Sequence, residues 1–292
     1  LLACGAFGLN IDRARVLVVR ADGRIVPVGD SAPAGRPQPE GAGLQVSLWR
    51  LPDLRRALLE SCWPPADDWP QRLGEHGTLL IHGVPRDDDN RSLRGLGARL
   101  GQPSLRAIDR RLDEGAGVQR VQALGGLVHD RSGKPLQSAG HGEFALHTDE
   151  SFLEHPADFV LLHCWQAAPT GGTTRVADSR AIPARVDRVE WIAWTQLRLP
   201  YPCGERCSVD AAGAVRFNPD ECAAALLSSR QQDWLARFAE TARRLAIEVP
   251  LVAGDVLLLD NRRMLHGRSA FAAACGRLLK RLRIIAVGSN QP

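Results

Sequence analysis

The sequence predicts a mixed α+β fold, and three observations carry that expectation. Apolar runs of strand length recur at 78–84, 159–166 and 256–259. A segment over 229–245 instead repeats its apolar residues at helical spacing, with Trp234, Leu235, Phe238, Ala242 and Leu245 on one face. Gly and Pro clusters separate the two kinds of segment, as turns between strands and helices require.

Taken in order, 17–37 alternates short apolar runs with Gly and Pro and reads as a small sheet element followed by a loop. Segments 54–62 and 69–75 read as short helices that feed a buried strand at 78–84, and 89–100 resumes helical spacing with Asp or Asn available as its cap. Strand character returns at 118–124. The Gly- and Ser-rich stretch 125–142 lacks apolar periodicity and is expected to be a loop beside the site, a candidate lid. Strands follow at 159–166 and 173–177. Ser229 and Gln232 have capping-box spacing for the long helix, and 256–259 and 278–287 close the chain as strands.

With 292 residues, 44% of them apolar, the chain is long enough for one large domain or two small ones. A balance of 37 basic against 33 acidic residues leaves only +4, and the one basic concentration lies at 277–283, so neither nucleic acid nor membrane is an indicated partner. Seven scattered cysteines, an odd number, point to thiols in a reducing cytoplasm. The apolar residues 1–9 have no basic leader, and no stretch approaches the length of a membrane span.

The chemistry is concentrated in a few residues. His147 and Asp149 are two apart, so on an extended backbone both face the same way, and His266 lies far downstream. Two imidazoles and one carboxylate on a single face of Fe(II) leave the opposite positions open for oxygen chemistry. A His-x-acid pair is expected about once by chance in this composition, and a second one, His141-Gly142-Glu143, is present. Context separates them: His141 sits in the Gly-rich stretch, while a strand ending in Asp260-Asn261 delivers His266, and Arg277, Arg281 and Arg283 then follow at even spacing.

These pieces resemble the Fe(II)- and 2-oxoglutarate-dependent oxygenases of the taurine dioxygenase and clavaminate synthase-like superfamily. His-Thr-Asp at 147–149, Gly-Gly-Thr-Thr at 171–174, Asn-Arg-Arg-Met-Leu-His-Gly-Arg at 261–268 and Arg-Leu-Leu-Lys-Arg at 277–281 occur in the family's order. The resemblance runs from about Trp69 to Val287. It implies a mainly β architecture, a double-stranded β-helix (jelly roll) core with flanking helices, over 66–292, with 1–65 as an N-terminal extension of the same structural unit.

The resemblance further implies that His147, Asp149 and His266 hold Fe(II), and that Arg277 and Thr174 bind the distal carboxylate of 2-oxoglutarate. Arg281 would meet an acidic group of the substrate, although spacing allows Arg277 and Arg281 to exchange roles. With O2, such a site hydroxylates an unactivated C–H bond and releases succinate and CO2. Asp149 argues against halogenation, in which a small residue replaces the acid. The implied substrate is a small acidic metabolite, an amino acid or a derivative, with a sulfonate as the alternative. Gln122 and Glu150 are candidate substrate contacts. Gln119 shares a strand with Gln122, but odd spacing lets only one of them face the pocket. A metal-dependent hydrolase, or a binding protein on the same scaffold, would not release succinate.

Overall fold

The computed structural model describes residues 58–106, 111–124, 129 and 137–287, together with strand backbone at 17–19, 25–27, 45–48 and 57. The chain is mainly β with a few helices. Its strands are β1 (Leu17–Val19), β2 (Ile25–Pro27), β3 (Gln45–Leu48), β4 (Ala57–Cys62), β5 (Thr78–His82), β6 (Gly101–Pro103), β7 (Val118–Gln122) and β8 (Phe144–His147). They continue with β9 (Phe159–Gln166), β10 (Thr174–Asp178), β11 (Arg198–Tyr201), β12 (Gly204–Cys207), β13 (Ile247–Val249), β14 (Val256–Asp260), β15 (Met264–Arg268) and β16 (Leu278–Ala286). The helices are α1 (Trp69–His76), α2 (Arg91–Ala98), α3 (Arg188–Thr195) and α4 (Ser229–Leu245).

Two sheets dominate. An eight-stranded sheet runs β3-β4-β5-β14-β9-β16-β6, with β7 also paired to β16, and a four-stranded sheet runs β13-β10-β15-β8. Strand alternation explains how they stack. Leu257 and Leu259 of β14 meet Val176, Val249 and Met264 of the smaller sheet in one apolar cluster between the sheets. Their neighbours Val256 and Leu258 point the other way, onto Trp69, Leu73, Leu93 and Leu96 of α1 and α2. On the outside of the smaller sheet, Leu146 and Leu265 pack with Leu235, Phe238, Ala242 and Leu245 of α4. Fully burying one such leucine contributes about 1.5–3 kcal/mol, so these three apolar clusters fix the order of layers.

Several local expectations are corrected. Within the segment 54–62, residues 57–62 form a strand and not a helix: β4 pairs in parallel with β5, because tertiary pairing of Glu60, Ser61 and Cys62 with Leu80, Ile81 and His82 overrides local helical spacing. The eight-stranded sheet therefore begins upstream of residue 66. The α4 capping box is Ser228 with Gln231, one residue earlier than the spacing suggested, since Ser228 takes the extended backbone an N-cap needs. Asn90 precedes α2 but makes no side-chain cap, and Asp87 accepts from the Ser92 amide at 2.6 Å in its place. Most of the 125–142 stretch lies outside the described residues, except for Gln137–Ala139 as a 3-10 turn and the residues after it. The loop expected after the small sheet element, 28–37, lies outside them as well. Among the described residues all six cysteines are free thiols, and no helix is long and apolar enough to cross a membrane.

One ionic contact ties three strands of the larger sheet together. His82 Nδ1 lies 2.8 Å from Asp255 Oδ1 and Nε2 lies 3.6 Å from Glu60 Oε2, joining β5 to β4 and to the turn before β14. The hydrogen bond to Asp255, then that to Glu60, pushes the imidazole up from 6.5 to about 10. A raised folded-state value makes the contribution complete below pH 6.5, declining above it and gone by about pH 10. We expect His82→Gln to lower the Tm at pH 6 and the gap to wild type to close as pH rises towards 10. A constant gap across that range, measured by thermal melts, would contradict the assignment.

Candidate active site

Cross-strand register brings the two histidines together. In the antiparallel pairing of β15 with β8, His266 sits directly opposite His147, and the ring centroids are 4.4 Å apart. Both project into the space between the sheets, as Met264 does two residues before His266, while Leu146 and Leu265 face α4. Asp149 arrives by a turn just beyond β8, where Glu150 adopts a positive φ of 60°. Asn261, at the end of β14, fixes that turn: its side chain accepts from the Asp149 amide at 2.8 Å and donates to the Asp149 and Ala157 carbonyls at 3.0 and 2.8 Å. Thr148 is turned away, its amide donating to the Phe217 carbonyl at 2.7 Å and its hydroxyl accepting from the Phe217 amide at 3.1 Å.

The result is a buried donor set. One ligand atom from each of His147, Asp149 and His266 lies within 4.8 Å of the others. His147 Nδ1 is 2.8 Å from the Ala145 carbonyl, which can only accept, so Nδ1 carries the proton and Nε2 is free to bind a metal. That Nε2 lies 3.2 Å from Asp149 Oδ1, and His266 Nε2 lies 3.6 Å from the same oxygen. Burial, with His147 close by, pulls the His266 imidazole below its usual value, keeping it neutral as a ligand must be. Burial opposes ionisation of Asp149, yet Arg281 and Arg283 hold its carboxyl well below the usual range. Two imidazoles and an ionised carboxylate suit a divalent, oxygen-activating metal.

Strand β16 supplies the arginines. Arg281 Nη1 lies 3.0 Å from Asp149 Oδ2, and Arg283 Nε lies 3.0 Å from the same atom. Arg277, just before the strand, differs from both. Among the described residues it has no ion-pair partner; its Nε donates to the Gly172 carbonyl at 3.2 Å, and its Nη1 is buried with no partner at all. A buried guanidinium without an anion is costly, and a carboxylate-bearing ligand would complete it. The Gly-Gly pair makes the approach possible. Gly172 has φ +66°, and a Cβ there would stand 2.9 Å from Arg277 Cδ and Nε. Thr174, two residues on, is buried and pairs with Arg268 across β15.

Not every expected contact lies at the centre. Gln122 pairs with Leu278 on β7, and alternation with Val121, which packs between the sheets, turns it to the opposite face. Gln119 is the strand's site-facing glutamine; its Oε1 accepts from Arg281 Nη2 at 2.9 Å and Arg283 Nη2 at 2.6 Å. Glu150 is buried but already engaged, by Arg283 Nη1 at 2.8 Å, Ser104 Oγ at 3.1 Å and the Ala157 amide at 2.9 Å. The rival pair stands apart, with His141 and Glu143 exposed and Glu143 bound to Arg175 at 2.7 Å. Arg283 and Asn261 were legible only as members of a spacing and a motif. Their partners are set by folding.

Comparison with known proteins follows the same residues. A model of the taurine catabolism dioxygenase family (TauD, TfdA family) matches residues 62–189 and 206–283. The L-asparagine oxygenase of Streptomyces coelicolor is 27% identical over 241 residues, 68% of this chain and 67% of that protein. Dioxygenase str8 of Strobilurus tenacellus is 29% identical over 146 residues, and the match spans only 35% of that protein. Among solved structures, an asparagine oxygenase bound to Fe(II), 2S,3S-3-hydroxyasparagine and succinate superposes with TM-score 0.60 at 20% identity, covering 76% of this chain and 80% of that one. The non-haem iron oxygenase OrfP with Fe and alpha-ketoglutaric acid gives 0.53 at 18% identity, covering 76% and 81%. At these identities the structures establish likeness of fold.

Gly172→Ala should displace Arg277 while leaving the three metal-directed side chains in place. We expect divalent-metal affinity, read by Co(II) titration, to stay near wild type while the 2-oxoglutarate concentration needed for half-saturation rises tenfold or more, about 1.4 kcal/mol. Unchanged 2-oxoglutarate binding would mean Arg277 is not its anchor.

Proposed function

Because the chain belongs to the taurine catabolism dioxygenase TauD/TfdA family, we propose that it is an Fe(II)- and 2-oxoglutarate-dependent oxygenase that hydroxylates an unactivated C–H bond of a small acidic metabolite. The observation that carries this reading is the buried His147, Asp149 and His266 set with the unpaired Arg277 guanidinium beside it. A hydrolase could use the first but has no need of the second. We read the facing sheets as a double-stranded β-helix, or jelly roll, the scaffold on which such sites are built, and 1–65 as an extension that lends strands to it. A cytoplasmic location suits the free thiols.

In this reading the Nε2 atoms of His147 and His266 and a carboxylate oxygen of Asp149 would hold iron. When bound, iron and 2-oxoglutarate would supply the oxidation, in which O2 is consumed, 2-oxoglutarate loses CO2 to become succinate, and the substrate C–H bond is hydroxylated. The chain supplies geometry. Arg277 grips the distal carboxylate of 2-oxoglutarate through a charge-assisted pair, with the Thr174 hydroxyl as a further donor. Arg281 Nε is buried without a partner, beside the metal-directed carboxylate. It is placed to take an acidic group of the substrate and so to set the distance between the target carbon and the metal. Apolar Leu279, Val176 and Met264 exclude water behind the site.

An amino acid or amino-acid derivative is the favoured substrate, since an α-carboxylate matches Arg281 and since the relatives named above include an oxygenase of asparagine. Arg281 would also bind a sulfonate, so the test includes both. Fe(II) and 2-oxoglutarate added to metal-free protein without oxygen should give the weak visible charge-transfer band of the chelate, and one class of compound should shift it. Admitting oxygen should then release succinate from wild type but not from His147→Ala or His266→Ala. Succinate from either variant would remove the histidines from the site. An absent band would leave a binding protein on an oxygenase scaffold.

A further inference from the structure

Two arginines on one carboxylate are more than charge balance requires, and their bonding differs. Arg283 spends all three of its nitrogens. Nε donates to Asp149 Oδ2 at 3.0 Å, Nη1 to Glu150 Oε1 at 2.8 Å, and Nη2 to Gln119 Oε1 at 2.6 Å. Glu150 is itself held by Ser104 Oγ and the Ala157 amide, so the clamp is anchored to two further segments of backbone. Arg281 uses Nη1 on Asp149 and Nη2 on Gln119, and leaves Nε buried and unsatisfied.

The oxygens of Asp149 are equally unlike. Oδ1 faces His147 Nε2 at 3.2 Å and His266 Nε2 at 3.6 Å, and accepts from Arg281, whose Nη1 lies 3.2 Å away. Oδ2 accepts from Arg283 Nε at 3.0 Å and lies 3.0 Å from Arg281 Nη1. A carboxylate whose second oxygen is held by a fixed guanidinium presents one oxygen to a metal and cannot easily rotate to present both. That matters because an oxygen-activating site needs its remaining positions free for a chelating acid and O2.

We propose that Arg283 is a positioning residue that caps Asp149 Oδ2, holding the carboxylate to one-oxygen ligation of the metal, and that this permanent cap frees Arg281 to leave Asp149 for the substrate's acidic group. The inference rests on the reading of the triad as a metal site. Arg283 acts through Asp149, and Glu150 acts through Arg283. Gln119 shares one oxygen between the two guanidiniums and keeps Arg281 in register with Asp149 until substrate arrives.

The test is a Co(II) titration of the full chain, followed by visible absorption, for wild type, Arg283→Met, Arg281→Met and the pair Glu150→Gln with Arg283→Met. Loss of a group that orients a metal ligand costs roughly 10–100-fold in metal affinity, and we expect that loss in Arg283→Met. The band should also weaken, as a second carboxylate oxygen raises the coordination number. The pair should regain thermal stability, because it leaves no unpaired buried acid, yet keep the metal defect; it carries the test alone should Arg283→Met not fold. Arg281→Met should keep near-wild-type Co(II) affinity, because the Arg283 cap on Oδ2 remains, and lose the substrate-induced shift of the Fe(II)–2-oxoglutarate band. Wild-type Co(II) affinity in Arg283→Met, or its recovery in the pair, overturns the proposal, since Arg283 would then serve only to neutralise Glu150. An equal loss in Arg281→Met overturns the division of labour. Failure of wild type to bind Co(II) is a different result, and removes the metal-site reading itself.

Discussion

The site depends on one buried negative charge. Asp149 is 4% exposed, and a carboxylate so deep in the protein stays ionised only if cations and donors replace the water it has lost. Two guanidiniums from β16 do so, Arg283 on Oδ2 alone and Arg281 across both oxygens, while Oδ1 also faces the two imidazoles. From that arrangement follow the geometry of the donor set, the readiness of the site for a divalent cation, and the separate position of Arg277.

Strand β16 is the element that makes this possible, because its two faces do different work. Leu279, Arg281 and Arg283 point between the sheets, while Lys280, Leu282 and Ile284 point towards α2. The outward face is tightly held. A Cβ on Gly97 of α2 would come within 2.7 Å of Leu282 Cδ2, and Lys280 Nζ bonds Glu114 and Asn90 at 2.8 Å each. Arginines on a strand pinned in this way keep their positions without depending on a loop. The histidines gain the same security from the β8–β15 ladder, in which each imidazole faces its partner across a pair of hydrogen-bonded strands.

Legibility differed with the range of the signal. Strands β5, β9, β14 and β16 and helix α4 stood out because burial on one or both faces writes a period into the sequence. Strand β4 did not, since 57–62 is strand by virtue of lying between β3 and β5. The buried trio of His147, Asp149 and His266, which the structure brings together, was legible from residue type, order and motif. Gln122 and Glu150 show the limit. Gln119 and Gln122 are equivalent to a reader of the sequence, and the face each takes is decided by which neighbour, Val118 or Val121, meets α2 or the smaller sheet. Glu150 looks as available as any acid, but Arg283, 133 residues away, already occupies it.

By itself the sequence determined the inventory: which side chains can hold a metal, which can hold an acid, and which segments must be strands to bury their apolar faces. Those properties are local, written in residue type and in periods of two or 3.6. Only the tertiary structure decided the pairing. That Asp149 turns one oxygen to the histidines and the other to Arg283, and that among the described residues Arg281 keeps a free donor and Arg277 meets no anion, all depend on contacts across more than 100 residues of chain. Side-chain chemistry is fixed residue by residue; desolvation and partner choice exist only once two sheets have closed on them.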